Sequence, residues 1–333
     1  MATVMACSAF SAICGSNAAT AATMTTVALP QMKKYHYNPI LSTGAVACGS
    51  TLGVVIPPSV VLIVIGLSTG QSIARLFYGG IGAGILLSIL LMVTVYVVCR
   101  LHPGWGPVGP RAGFIEKFRS LSGAFEMGTL FLLVMLGLYF GLFTPAEAGA
   151  TGSLLAVIIS SVQGRLTWKG LVSSLTDTLQ VSCMVITIIS GAVVFGRFLA
   201  VTRIPFDIAS WVVGLPVPKS VIMAIIFVIY IVGGAVMDAL ALLLITIPIF
   251  FPVATQLGYD PIWFGVSITV VTTLGAVTPP VGATTYVVGA MAKDVPLEDV
   301  FKGVAFFLPA YIICLFLLIV FPEIITFLPS FMR

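Results

Sequence analysis

Paired prolines stand in the middle of two long apolar runs, within GSTLGVVIPPS at 49–59 and TTLGAVTPPVGATT at 272–285. Proline removes a backbone donor and its ring clashes with the carbonyl four residues back, so neither run can form one unbroken helix. The chain has little polar surface with which to hydrate such a break. Of its 333 residues 8% are charged and 59% hydrophobic, against about 25% charged in soluble domains. The apolar side chains must face lipid, which excludes soluble enzymes and nucleic-acid-binding domains. Inside hydrocarbon an unpaired N–H or C=O costs several kcal/mol, so a broken backbone survives only where protein or a water-filled cavity covers it.

Apolar runs that approach the roughly 20 residues a bilayer requires lie at 77–99, 125–143, 145–162, 178–200 and 303–322, and these read as five ordinary spanning helices. Four further apolar regions, 1–31, 39–67, 219–253 and 262–290, are interrupted near their middles by Gly, Pro or polar residues. Two amphipathic stretches separate spans. Phe114, Phe118 and Leu121 share one face in the first, away from most of the charge of Arg111, Lys117 and Arg119; Trp168, Leu171, Val172 and Leu175 do so in the second. Both read as helices lying in the membrane interface. The N-terminus, MATVMACSAFSAICGSNAATA, lacks the positive start of a signal peptide and reads as part of the fold. Six scattered cysteines without a C-x-x-C pair, and two histidines, His36 and His102, in polar loops, point to neither a disulfide framework nor a metal centre.

Sliding the chain by 222 residues aligns Pro30, Tyr37, Pro39, Ile40, Thr51, Leu52, Gly53, Val55, Pro57 and Pro58 with Pro252, Tyr259, Pro261, Ile262, Thr273, Leu274, Gly275, Val277, Pro279 and Pro280. That is ten identities in 29 positions. The chain therefore holds two copies of one unit. Four full crossings between the copies give them opposite directions in the membrane. One side collects Lys33, Lys34, Arg100, Arg111, Lys117, Arg119, Arg165, Lys169, Lys293 and Lys302, ten of the fifteen basic residues, and is cytoplasmic by the positive-inside rule. The expected fold is an all-α polytopic membrane protein with inverted repeats, two re-entrant hairpins and two helices broken at Pro-Pro.

Secondary transporters place their sites where such repeats meet, with open carbonyls for a cation and half-helix N-termini for an anionic group. The first hairpin is expected to turn over Gly15, Ser16, Asn17, Ala18, Ala19 and Thr20, because Gly and Asn tolerate the positive dihedrals of a tip. The second is expected to turn at Gly233 and Gly234, followed by Asp238. Around the breaks, Gly49, Ser50, Thr51, Pro57, Pro58 and Ser59 in one copy, and Thr273, Thr278, Pro279, Pro280, Gly282, Thr284 and Thr285 in the other, offer hydroxyls and accessible carbonyls. Asp238 alone among the acids lies well inside an apolar run, where a carboxylate costs about 2.5–3.5 kcal/mol. Without a nearby Lys or Arg in sequence it calls for sodium or a proton, with Thr278 as a second candidate sodium ligand; the plainer role is that of a helix N-cap. Ser16 and Asn17 serve equally as plain turn formers, and the Gly80–Gly84 pair as a helix-packing surface.

GSNAATAAT followed by VALPQMKK, GSTLGVVIPPS, GLFTPAEAGA at 141–150, PIFFPVATQLGYDPIWFGV and VTPPVG together resemble the large membrane subunit of tripartite ATP-independent periplasmic (TRAP) transporters, the DctM-like permeases. The resemblance covers essentially the whole chain. It implies a multi-pass protein of the bacterial inner membrane, without cofactor or enzymatic activity, working as a sodium-coupled elevator. Its partners would be a small DctQ-like membrane subunit and a soluble DctP-like periplasmic binding protein that delivers an organic acid, such as a C4-dicarboxylate or sialic acid. Carried over by position, it places sodium and substrate between the tips at Ser16–Thr20 and Gly233–Asp238 and the breaks ending at Pro58 and Pro280. Residues 1–99 and 204–322 would form the transport domain, 100–203 the scaffold with interfacial arms at 111–124 and 165–176, and 323–333 a tail. The family's N-terminal scaffold helices have no counterpart here, so Met1 is expected to be internal to a longer permease, in the first arm of hairpin one. A channel or ion exchanger of the same inverted fold, without an organic substrate, is the second reading. A membrane enzyme ranks third, since no nucleophile–base pair or metal cluster sits at a common depth.

Overall fold

A computed structural model describes residues 1–107, 113–214 and 216–331, and every regular element among them is helical. α1 (Ala2–Cys14) and α2 (Asn17–Lys34) meet at a two-residue turn and are followed by α3 (Pro39–Ser50), a 3-10 turn (Thr51–Val54), α4 (Val60–Thr69) and α5 (Ile73–Leu101). Three long helices come next: α6 (Phe114–Tyr139), α7 (Pro145–Val162) and α8 (Trp168–Thr202). After α9 (Ile204–Val213), α10 (Lys219–Val236) and α11 (Ala239–Gln256) form a second pair joined by two residues. α12 (Pro261–Val277), α13 (Ala283–Met291), α14 (Leu297–Ala305), α15 (Leu308–Val320) and α16 (Glu323–Ser330) complete the chain. Five helices among the described residues are long and apolar enough to cross a membrane, as expected of a polytopic membrane protein.

Contacts divide the chain into one unit of residues 1–109 and 199–333 and another of 110–198. The first contains both sequence copies, and they match at the level of caps. Asn38 accepts from the Ile40 amide at the start of α3; 222 residues on, Asp260 accepts from the Ile262 and Trp263 amides at the start of α12. Each satisfies donors the first helical turn leaves open, an effect of about 1 kcal/mol. Helices α3 and α12 are buried over almost their whole lengths, which is why their sequences show no polar face. The α1–α2 pair packs on α3 and the 3-10 turn, and the α10–α11 pair packs on α12.

Helix α5 shows how the copies are directed. The start of α3 lies at its C-terminal end, where the Asn38 amide donates to the Trp105 carbonyl. Fourteen to eighteen residues further along, the first break reaches its N-terminal half: a Cβ on Gly80 would lie 2.6 Å from the Val55 oxygen, and one on Gly84 the same distance from Ile56. The start of α12 instead lies at the N-terminal end of α5, with the Cβ position of Gly265 3.0 Å from Leu76. From there α12 leads to Gly282, whose Cβ position is 3.1 Å from Phe301 of α14, and α14 packs on α3. α3 and α12 thus run in opposite senses along α5.

The unit of residues 110–198 joins α6 to α7 through Val134, Met135, Leu138 and Ala148, all buried. Thr144 and Glu147 form a reciprocal capping box at the start of α7. The apolar stretch of α8 buries none of its surface within the chain. Where an interfacial arm and a separate span are expected at 165–200, the structure has the continuous α8; Thr176, Asp177 and Thr178 provide no proline or glycine to stop the helix. Likewise α6 runs on through 125. Arg111 and the side chains of Phe114, Lys117, Phe118, Arg119 and Leu121, on which the first arm rests, lie outside the described residues. The expected single helix over 303–322 is interrupted between α14 and α15, because Pro309 in the first turn of α15 offers no amide and disfavours a helical residue before it.

Candidate functional site

The first tip is tighter than the expected six-residue turn. Only Gly15 and Ser16 leave the helix, and Asn17 and Thr20 already belong to α2. Gly15 has φ +62°, and a Cβ there would stand 2.7 Å from the Pro58 carbonyl oxygen, so both conformation and space require glycine. Ser16 caps α2, its oxygen accepting from the Ala19 amide at 3.5 Å. The tip rests on the break: a Cβ on Gly53 would lie 2.7 Å from the Ser16 carbonyl oxygen and 3.0 Å from Thr20 Oγ1. Three buried oxygens around it, Ser11 Oγ, Asn17 Oδ1 and Thr20 Oγ1, have no hydrogen-bond partner among the described residues.

At the break itself Ser59 does two things, donating to the Val54 carbonyl at 2.6 Å and accepting from the Leu62 amide to cap α4. Pro57–Pro58 is cis, as is Pro279–Pro280. Upstream the two copies repeat the same hydroxyl-to-carbonyl bonds at the 222-residue offset. Ser50 donates to Val46 and Thr272 to Ile268, both at 2.6 Å, while Thr51 donates to Cys48 at 2.7 Å and Thr273 to Val270 at 2.6 Å. These hydroxyls hold the last helical carbonyls and keep lone pairs free to accept. Gly49 lets α1 approach, its Cβ position being 3.0 Å from Cys7 Sγ.

The second tip differs from expectation. Gly233 and Gly234 lie inside α10, and the turn is Met237 and Asp238, both in extended conformation. No positive dihedral is used there. The glycines serve approach instead: the Cβ position of Gly233 is 2.6 Å from Leu242, and that of Gly234 is 2.9 Å from the Thr272 carbonyl oxygen. Asp238 occupies the register position of Ser16 and likewise caps its helix, Oδ1 accepting from the Leu240 amide at 2.9 Å. It is exposed and forms no ion pair among the described residues. Behind it the Val281 and Gly282 amides, just past Pro280, both donate to the Ala235 carbonyl, at 3.1 and 3.2 Å. Thr278 donates to Leu274 and Thr285 to Val277, and Thr284 is buried beside them. Tip and break are therefore joined in both copies, by close packing in the first and by hydrogen bonds in the second.

Tyr311 is a contributor the sequence reading missed. Its hydroxyl, fully buried on α15, donates to the Cys48 carbonyl at 3.0 Å and lies 2.6 Å from Thr51 Oγ1, closing the end of α3 from a position 263 residues away. The only signal was one polar atom in LPAYIICLFLLIV. Tyr311→Phe removes that donor but leaves Thr51 on the same carbonyl, so we expect a loss of about 1–2 kcal/mol, read as a lowered thermal midpoint of the detergent-solubilised protein. An unchanged midpoint would show that the bond contributes nothing.

The donor set consists of hydroxyls, carbonyls and one carboxylate, with no nucleophile beside a base. It suits reversible binding of small ions and carboxylates rather than bond-breaking. Comparison with known proteins agrees. Residues 1–324 match the family described as Tripartite ATP-independent periplasmic transporter, DctM component. The C4-dicarboxylate TRAP transporter large permease protein DctM of Pseudomonas aeruginosa is 33% identical over 99% of this chain and 75% of its own length. The sialic acid TRAP transporter large permease protein SiaM of Vibrio cholerae is 32% identical over 98% and 76%, and the ectoine TRAP transporter large permease protein TeaC of Halomonas elongata 30% over 98% and 76%. These relatives are transporter permeases, not enzymes. A permease serving a periplasmic transporter resides in the bacterial inner membrane, in keeping with the five membrane-length helices. By its match over nearly its whole length, this chain belongs to the DctM family, the large permease component of TRAP transporters.

Proposed function

We propose that this chain carries an organic acid across the inner membrane, driven by sodium, after delivery by a periplasmic binding protein and in company with a small membrane subunit. The observation that carries this reading is the pair of helix-pair tips, each seated on a Pro-Pro break, in two copies directed oppositely along α5. Helix α1 has 13 residues, about 20 Å of rise, too little for a hydrocarbon core of about 30 Å. We read α1–α2 and α10–α11 as re-entrant hairpins whose tips meet near the midplane, where open oxygens are tolerated because a cavity covers them. Ser16, Asn17, Thr20, Asp238, Thr278 and Thr284 are the proposed contacts for sodium and substrate. The unit of residues 1–109 and 199–333 holds both tips and is the moving body of an elevator; that of 110–198 belongs to its frame. C4-dicarboxylates and sialic acid, which name two of the relatives, set the substrate class.

Uptake of labelled succinate and N-acetylneuraminate into proteoliposomes containing the full assembly tests the reading. Uptake is expected only with an inward sodium gradient and the binding protein together. Sodium flux that proceeds without either acid or binding protein would make the chain a channel or exchanger instead.

The basic-residue asymmetry assigns 31–38, 100–120, 163–170 and 291–303 to the cytoplasm and 68–75 and 254–261 to the periplasm. Single cysteines at positions 35 and 258 in a cysteine-depleted background should be labelled from opposite sides. Labelling of both from one side would remove the inverted arrangement.

A further inference from the structure

A cavity of about 630 Å³ opens between α2, the start of α3 and the end of α13, away from both tips. Its lining begins at Thr25 and ends at Lys33 on α2, eight and sixteen residues past Asn17, or roughly 12 and 24 Å along the helix. The cavity has a buried floor and a charged mouth. Thr25 and Ser42 are 4% and 5% exposed, whereas the Lys33 and Asp294 side chains are about three-quarters exposed.

The polar groups in it are unequally engaged. Ser42 donates to the Asn38 carbonyl, but the buried Thr25 hydroxyl has no partner among the described residues, so it is free to donate. At the mouth, Lys33 Nζ lies 2.6 Å from Asp294 Oδ2. That hydrogen bond holds the Asp294 carboxyl below its ordinary value, so it stays ionised at neutral pH and cancels the Lys33 charge. Lys293 forms no ion pair among the described residues. The cavity therefore presents one uncompensated ammonium at the mouth and one free hydroxyl at the floor, with the ring of Tyr37 along its wall. A carboxylate is the group this set satisfies, since it accepts from both and brings the missing charge.

We propose that this cavity is a second, cytoplasmic-side station for the organic acid, occupied after the acid leaves the hairpin tips, with Lys293 as its charge partner and Thr25 as its buried donor. The proposal rests on the transport reading above and adds to it a site that acts during release. An inorganic phosphate or a lipid headgroup shares the anionic chemistry, so the test separates them from the acid.

Thr26 lines the same cavity and is exposed, so Thr26→Cys in a cysteine-depleted protein reports occupancy through its rate of modification by a small methanethiosulfonate. The full assembly is reconstituted in phosphatidylcholine vesicles. Succinate or N-acetylneuraminate, at about nine times its dissociation constant for the cavity, is expected to slow modification about tenfold. Lys293→Gln and Thr25→Val, each added to Thr26→Cys, should each remove most of that protection. The proposal is overturned if neither acid slows the reaction, if both variants leave protection intact, or if inorganic phosphate or added phosphatidylglycerol protects as well as the acids do. Sodium-driven uptake by the same Thr26→Cys assembly is measured in parallel. Uptake without protection removes the cavity site and leaves the transport reading standing, whereas absent uptake counts against the transport reading itself.

Discussion

Gly275→Leu is expected to prevent this protein from accumulating in folded form. A Cβ at position 275 would stand 2.6 Å from the Ile231 carbonyl oxygen and 2.7 Å from the Gly234 Cα, and both are backbone atoms of a helix that packs along α12. Flexible side chains can rotate away from an intruding methyl group, but two backbones can yield only by moving apart, which would also pull the Ala235 carbonyl from the Val281 and Gly282 amides. Overpacking of cores costs about 1–3 kcal/mol and more where nothing can relax. Taking about 3 kcal/mol as the lower bound, the thermal midpoint should fall by on the order of 10 °C. Gly149→Ala is the matched control, since nothing lies within 4 Å of its Cβ position and alanine favours a helix by about 1 kcal/mol. Midpoints within about 2 °C of the parent protein for both variants would mean that α10 and α12 do not meet at these glycines.

Asp238→Asn should leave the fold almost untouched and raise the sodium concentration for half-maximal uptake at least about tenfold, a difference of about 1.4 kcal/mol in binding. The amide keeps an oxygen to accept from the Leu240 amide, and Asn caps helices as well as Asp does. Only the charge is lost. Asp238→Ala removes charge and cap together and should cost about 1 kcal/mol of stability in addition. Paired measurements of thermal midpoint and sodium dependence on both variants separate the roles. If Asp238→Asn transports with the parent's sodium dependence while Asp238→Ala is merely less stable, Asp238 is a cap and the ion lies elsewhere.

Much of this was legible because a membrane restricts what an apolar chain can do. Paired prolines announced both breaks, and the 222-residue offset announced that they belong to equivalent units. That offset also carries Ser16 onto Asp238, two caps of different charge in the same place. Other features left weaker traces. Glycine in an apolar run signals either a turn or close packing, and the chain uses Gly15 for the first and Gly233 and Gly234 for the second; only the neighbour across the gap decides between them. The continuity of α8 was hidden because amphipathic character changes along one helix without any residue that stops it. Tyr311 was hidden for another reason: its partners Thr51 and Cys48 are about 260 residues away, and periodicity reports local structure alone.

Helix α5 touches the first break through Gly80 and Gly84 and the second copy through Leu76 and Gly79. It runs for 29 residues without interruption, a rod about 43 Å long. A rod gripped by two parts makes them one mechanical body with a single degree of freedom. Neither break can shift along it alone without first losing contacts made at glycine surfaces, where there is no side chain to slide. Spin labels placed on α4 and α13 should therefore keep one narrow distance distribution in every state of the transport cycle. A distribution that splits on adding sodium would show that the rod can slip.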